Sequence, residues 1–102
     1  MERGGCIYIM TNYNKTTYYT GVTSDLYTRI IEHKTSKYPN SFTSRYKLKY
    51  CVYYEALPTI EEAIEREKQV KKYRREKKEA LINSINPKWE DLWIIIKEWE
   101  FV

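Results

Sequence analysis

Apolar and polar positions alternate from Cys6 to Thr11 and again from Thr17 to Thr23, in runs rich in β-branched and aromatic residues. The polar, turn-prone Asn12 to Thr16 separates them, so the pattern predicts a β-hairpin. The period then lengthens. Leu26, Ile30 and Ile31 recur at helical spacing, and Ser24 or Asp25 supplies a cap for a helix reaching about Lys34. Thr35 to Ser44, rich in Ser, Thr, Lys, Pro and Asn, reads as an exposed loop. Leu48 to Glu55 predicts a third strand, ended by Pro58. Thr59 with Glu62 three residues on matches a capping box, opening a helix whose apolar stripe is Ile60, Ala63, Ile64 and Val70. Helical spacing returns after Arg75 with Ala80, Leu81, Ile82 and Ile85, and stops at Asn86-Pro87, where proline removes a donor. Trp89 to Val102 suits either a helix laid on the sheet or an extra strand. The expected fold is α+β, a three-stranded antiparallel sheet flanked by helices, in the order β-β-α-β-α-α plus a C-terminal element.

Composition narrows the class. The 102 residues fall in the size range of one domain. Charged residues make up 31% and aromatics 16%, with 11 tyrosines, which suits a charged surface around an aromatic-rich interior. No apolar run approaches the roughly 20 residues that span a bilayer, and Met1 to Gly5 does not resemble a secretion signal, so a cytoplasmic protein without membrane partners is expected. Cys6 and Cys51 sit in strand-like runs and read as buried thiols; with one histidine in the chain, a His/Cys zinc site is excluded. Any metal must be held by oxygen.

The net charge of +4 is unevenly placed. Arg66, Lys68, Lys71, Lys72, Arg74, Arg75, Lys77 and Lys78 face only Glu67, Glu76 and Glu79, whereas the chain from Glu90 onward is net acidic. A polyanion is the natural partner of such a stretch, set against a merely solvated helix face.

Polar residues also fall where core residues belong. Arg29 and His33 share the inward stripe of the first helix with Leu26 and Ile30, and Glu67 falls between Ile64 and Val70 on the second. A buried, unpartnered charge costs several kcal/mol. Arg29 and Glu67 therefore either pair with each other or form a site for a cation and an anion. If the hairpin turn takes four residues, Asn12 to Lys15, then Tyr8 lies opposite Tyr19, and Gly21 leaves room for a ligand backbone. Singly, such tyrosines are ordinary strand residues. Their convergence with Arg29, His33 and Glu67 is what points to a site.

These residues carry a resemblance. Gly5-Cys6-Ile7-Tyr8, Tyr19-Thr20-Gly21, the helix segment Asp25 to His33, the segment Arg66 to Lys72 and the ending Asn86 to Leu92 together resemble the GIY-YIG nuclease superfamily, in particular its small single-domain bacterial branch. Cys6 stands where the first motif has glycine and Thr20 where the second has isoleucine. The resemblance implies a metal-dependent endonuclease hydrolysing phosphodiester bonds, DNA before RNA, in a structure-sensing or repair-related role. It assigns catalysis to Tyr8, Tyr19, Arg29, His33, Glu67 and Asn86, and places a single Mg²⁺ or Mn²⁺ on Glu67. One carboxylate completed by water and phosphate suits Mg²⁺. Tyr8 or Tyr19 would accept or orient the proton of the attacking water. Nucleic acid would be gripped at Gly21, at Lys37, Arg45 and Lys47 on the long loop, and at Lys68, Lys71, Lys72, Arg74 and Arg75, with Tyr38 and Phe42 free to stack on a base. Two rivals stand beside this: a nucleic-acid-binding module that does not cut, and a protein-interaction domain using the apolar end around Trp93 and Trp99.

Overall fold

The computed structural model describes residues 4–99; Met1–Arg3 and Glu100–Val102, including the ends of the segments considered above, lie outside the described residues. The alternation at the start of the chain forms β1 (Gly5–Thr11) and β2 (Tyr18–Thr23), and β3 (Tyr50–Leu57) pairs with the other edge of β1. The sheet has the order β2-β1-β3 and is antiparallel throughout. Among the described residues five helices complete the fold: α1 (Leu26–Lys34), α2 (Phe42–Arg45), α3 (Ile60–Lys71), α4 (Arg75–Ile85) and α5 (Trp93–Ile96). The predicted α+β class and element order hold, with α2 an addition inside the segment expected to be loop. No helix among the described residues is long and apolar enough to cross a membrane.

Because successive side chains of a strand point to opposite faces, β1 serves two cores at once. Ile7 and Ile9 enter an aliphatic layer with Val52, Val70 and Ile82, beneath α3 and α4. Tyr8 and Met10 enter the other, with Leu26, Ile30, Leu48, Leu92 and Ile96. Between Ile9 and Met10 the β1–β3 register slips by one residue on β3. This bulge turns both Val52 and Tyr53 toward the aliphatic layer while Cys51 joins the opposite one.

The hairpin register differs from the four-residue turn expected above. Thr11 pairs with Tyr18 and Tyr8 with Gly21, so the connection takes six residues. Asn12 holds it closed: its Oδ1 accepts from the backbone N–H of Thr16 at 2.8 Å, and its Nδ2 donates to the Thr16 hydroxyl at 2.8 Å. A shift of two residues keeps every side chain on its face, so Tyr8 and Tyr19 still share one.

Both predicted caps form. Asp25 accepts from the Thr28 N–H at 3.2 Å, and Thr59 Oγ1 from that of Glu62 at 3.1 Å. On α3 the inward stripe is Ala63, Glu67 and Val70; Ile64, expected in it, is exposed. Gly5 lets α3 approach the sheet, since a Cβ there would lie 2.7 Å from that of Ala63.

The C-terminal segment resolves as a helical turn, not a strand. Asp91 Oδ1 accepts from the Cys51 N–H at 3.1 Å, the Leu92 N–H donates to the Cys51 carbonyl at 2.7 Å, and Ile96 is fully buried. Lys34 ties the same aspartate to α1 through a 2.6 Å ion pair. Cys51 is a buried free thiol, pushed up to about 12 by burial, while Cys6 is only partly buried.

Candidate active site

The layer that receives Tyr8 is the chemically unusual one. Tyr8 is 2% exposed, and burial lifts its phenol well above the ordinary tyrosine range, with Tyr19 adding and Arg29 opposing. Its hydroxyl lies 2.9 Å from His33 Nε2, and His33 Nδ1 lies 2.9 Å from Thr43 Oγ1. One imidazole therefore sits between two hydroxyls contributed by β1 and α2. The His33 pKa falls to about 4, chiefly through burial and then through Arg29, against a smaller opposing pull from Glu32. At neutral pH the ring is uncharged and carries a single N–H to share between those hydroxyls.

Geometry on β2 makes this possible. A Cβ on Gly21 would lie 2.4 Å from the Tyr8 Cζ and hydroxyl oxygen, so only glycine lets the phenol lie across the edge strand. Tyr19, two residues back on the same face, stands with its ring centroid 6.3 Å from that of Tyr8 and 5.9 Å from that of His33. Phe42 stacks on the outer side of Tyr19 at 6.3 Å.

Arg29 lies one helical turn before His33. Its side chain is 39% exposed and its guanidinium rests 3.3 Å from Glu32, which also meets Lys37 at 3.4 Å. Most of its N–H groups therefore stay available to an anion arriving from solvent. The structure thus brings together Tyr8, Tyr19, Gly21, Arg29 and His33.

Glu67 and Asn86 are placed differently. Glu67 is carried by α3 with its side chain 14% exposed, and pairs with Lys71 at 3.1 Å. The mutual Arg29–Glu67 ion pair considered from the sequence is not formed, since each pairs along its own helix. Asn86 is buried, donating to the carbonyls of Val52 and Glu90 and accepting from the Glu90 N–H. Its amide latches the C-terminal segment to β3. Among the described residues no three His, Cys, Asp or Glu side chains converge on a metal position. A lone, largely shielded carboxylate does fit Mg²⁺ or Mn²⁺ bound mainly through water and phosphate oxygen, and does not fit zinc.

The basic residues are partly neutralised by neighbours. Lys68 meets Glu65, and Arg75 meets Glu79 while its guanidinium lies 4.2 Å from the Tyr18 ring and donates to the Thr16 carbonyl. Arg75 thereby supports the hairpin loop. Lys72 and Arg74 are exposed at the α3–α4 junction; Arg45 lies over Tyr46, and Lys47 follows it with a left-handed backbone.

Thr43 and Glu32 were missed from the sequence, whereas Phe42 was read only as a ring free to stack on a base. A four-residue helix has no periodicity to read, although Ser41 before it is an ordinary N-cap residue whose Oγ accepts from the Ser44 N–H.

Comparison with known proteins agrees with this fold. The solution NMR structure of the UPF0213 protein BH0048 from Bacillus halodurans matches with a TM-score of 0.54 and 31% identity, over 86% of this chain and 92% of that one. No curated protein matches the chain. The model of the GIY-YIG catalytic domain matches residues 4–80, a span that holds the tyrosines, the glycine between strand and phenol, the α1 arginine and histidine and the α3 glutamate, and the chain belongs to that nuclease family.

Proposed function

We propose that this domain is an endonuclease that hydrolyses phosphodiester bonds, with DNA as its first substrate and a structure-sensing or repair-related role. The observation that carries the reading is the hydrogen-bonded series Tyr8, His33 and Thr43 beside an arginine that keeps donors free.

With its pKa held high by burial, Tyr8 is protonated at neutral pH and is no base by itself. It acts instead through His33. As the attacking water gives a proton to the Tyr8 oxygen, the phenol proton passes to His33 Nε2, whose other nitrogen donates to Thr43. The negative charge of a bound phosphate favours the imidazolium and opposes the burial that lowers the His33 pKa. Tyr19 orients the water from the adjacent wall. Arg29 donates to the phosphate oxygens as charge builds on them. Mg²⁺ or Mn²⁺, when bound, supplies charge neutralisation at the phosphate and the leaving oxygen, and Glu67 would hold it.

Incubating plasmid, duplex, flap, single-stranded and RNA substrates with Mg²⁺ or Mn²⁺ tests the reading. Wild type cuts at least one substrate class, and Glu67→Ala lowers that rate by about 100-fold or more. The second reading, a binding module without cutting, draws on the Glu67–Lys71 ion pair, which already engages the carboxylate. Wild type that binds but never cuts, or cutting that survives in Glu67→Ala, establishes that the nuclease mechanism is wrong.

A further inference from the structure

Beyond Tyr19 the aromatic rings do not stop. Phe42 stacks on Tyr19, and Tyr46 lies 4.7 Å from Phe42 between ring centroids. Tyr46 in turn borders a hollow of about 340 Å³ shared with Tyr13, Tyr50, Lys47 and Lys49. The same Tyr13 and Tyr50, whose centroids are 6.2 Å apart, open onto a second hollow of about 360 Å³ that reaches Lys15 and Trp89. Trp89 meets Tyr18 at 5.7 Å, closing the series. Rings and ammonium groups thus alternate from the candidate active site along one side of the molecule to the hairpin tip.

Three features separate this from scattered surface tyrosines. Tyr13 is 79% exposed and Tyr46 50%, so their faces are open to a ligand. Among the described residues Lys15, Lys47, Lys49 and Lys88 enter no ion pair, unlike Lys68 and Lys71 on α3, and the one carboxylate in the hollows, Asp91, is already taken by Lys34. Of the four non-glycine residues with left-handed backbone among the described residues, three border these hollows: Lys15 at φ 59°, Lys47 at 57° and Trp89 at 54°. Such conformations are costly for residues with a side chain and gather where a surface is shaped for a ligand.

We propose that this strip binds an unpaired, single-stranded stretch of nucleic acid, its bases stacked on Tyr46, Tyr13 and Trp89 and its phosphates on Lys15, Lys47 and Lys49, and delivers it to the tyrosine site. Rings can stack only on bases whose faces are not covered by a partner strand, and stacking is indifferent to sequence because every base has a π-face. That the strip ends at a cutting site rests on the nuclease reading; the binding itself does not.

The test is fluorescence anisotropy with the metal chelated, using labelled oligothymidylate, labelled oligouridylate and a labelled blunt duplex. Tyr46→Ala and Tyr13→Ala each weaken single-strand binding by roughly 5- to 100-fold and change duplex binding by less than about twofold, while Tyr46→Phe and Tyr13→Phe bind as wild type. The oligonucleotide bound more tightly identifies DNA or RNA as the source of the strand. Circular dichroism confirms that the alanine variants fold. Unchanged single-strand affinity in folded alanine variants, or an equal loss on the duplex, overturns the proposal. Ring-dependent binding by a protein that cuts nothing refutes the nuclease reading and leaves the strip standing; cutting without ring dependence does the reverse.

Discussion

β1 sends Ile7 and Ile9 to one layer and Tyr8 and Met10 to the other, and the two layers treat polar atoms in opposite ways. In the Tyr8 layer every buried hydroxyl or ring nitrogen of the site has a partner, and the partners come from β1, α1 and α2. In the aliphatic layer Thr20, paired across the sheet with Ile9, buries a hydroxyl that has no partner, the one such side-chain atom among the described residues. Polar satisfaction on one side thus holds a phenol and an imidazole in place, while the other side secures the sheet by apolar packing and tolerates a defect. Conversely, the site side gives up some packing economy to hold a phenol and an imidazole where leucine would be the simpler choice.

The contrast can be broken most sharply at Tyr8. Removing only its oxygen in Tyr8→Phe keeps the ring against Gly21, so the cleavage rate falls by about 100-fold or more while stability changes by no more than about 1 kcal/mol. Denaturant unfolding beside single-turnover kinetics reads both; a large stability loss with activity retained would show that the hydroxyl is structural.

Thr20→Val probes the other layer and has the opposite sign. Replacing an unsatisfied buried hydroxyl by a methyl of the same shape stabilises by about 1 kcal/mol, which for a chain of this size raises the melting temperature by roughly 4–8 °C. No rise would mean that the hydroxyl has a partner after all.

A third test lies in the acid response of His33, the only histidine in the chain. Its folded pKa, about 4, is below the unfolded value of 6.5, so the unfolded chain takes up the proton first. The stability contributed by the neutral ring is complete above pH 6.5 and is lost as pH falls from there toward about 4. The wild-type melting temperature should therefore drop further over that window than that of His33→Gln. An NMR titration of the single imidazole gives the midpoint directly, and a value near 6.5 would contradict the desolvated ring.

Much of this was legible beforehand, for identifiable reasons. Alternation and capping residues are local signals, and the hairpin, α1 and the Thr59 start of α3 follow from them. The cluster of Tyr8, Tyr19, Gly21, Arg29 and His33 was readable because two periodicities put those residues on faces that meet. The register was not, since nothing in the loop composition announces that Asn12 bonds across four residues to Thr16. Thr43 was hidden in a helix too short to show a period, and Ile64 was misplaced because Glu67, not an apolar residue, completes the stripe of Ala63 and Val70. Asn86 was seen, but its buried amide bonds depend on tertiary contacts with β3 that no spacing encodes.

Those amide bonds bear on where the autonomous unit ends. The family match stops at residue 80, yet Ile82, Leu92 and Ile96 fill both layers of the core, and Asn86 and Asp91 fasten them to β3. A fragment trimmed to the matched boundary would strip Cys51 of its bonds with Asp91 and Leu92 and Val52 of its bond from Asn86. Expression of an isolated catalytic piece thus requires the segment through Ile96, and grafting this domain onto another protein calls for a junction beyond that helical turn.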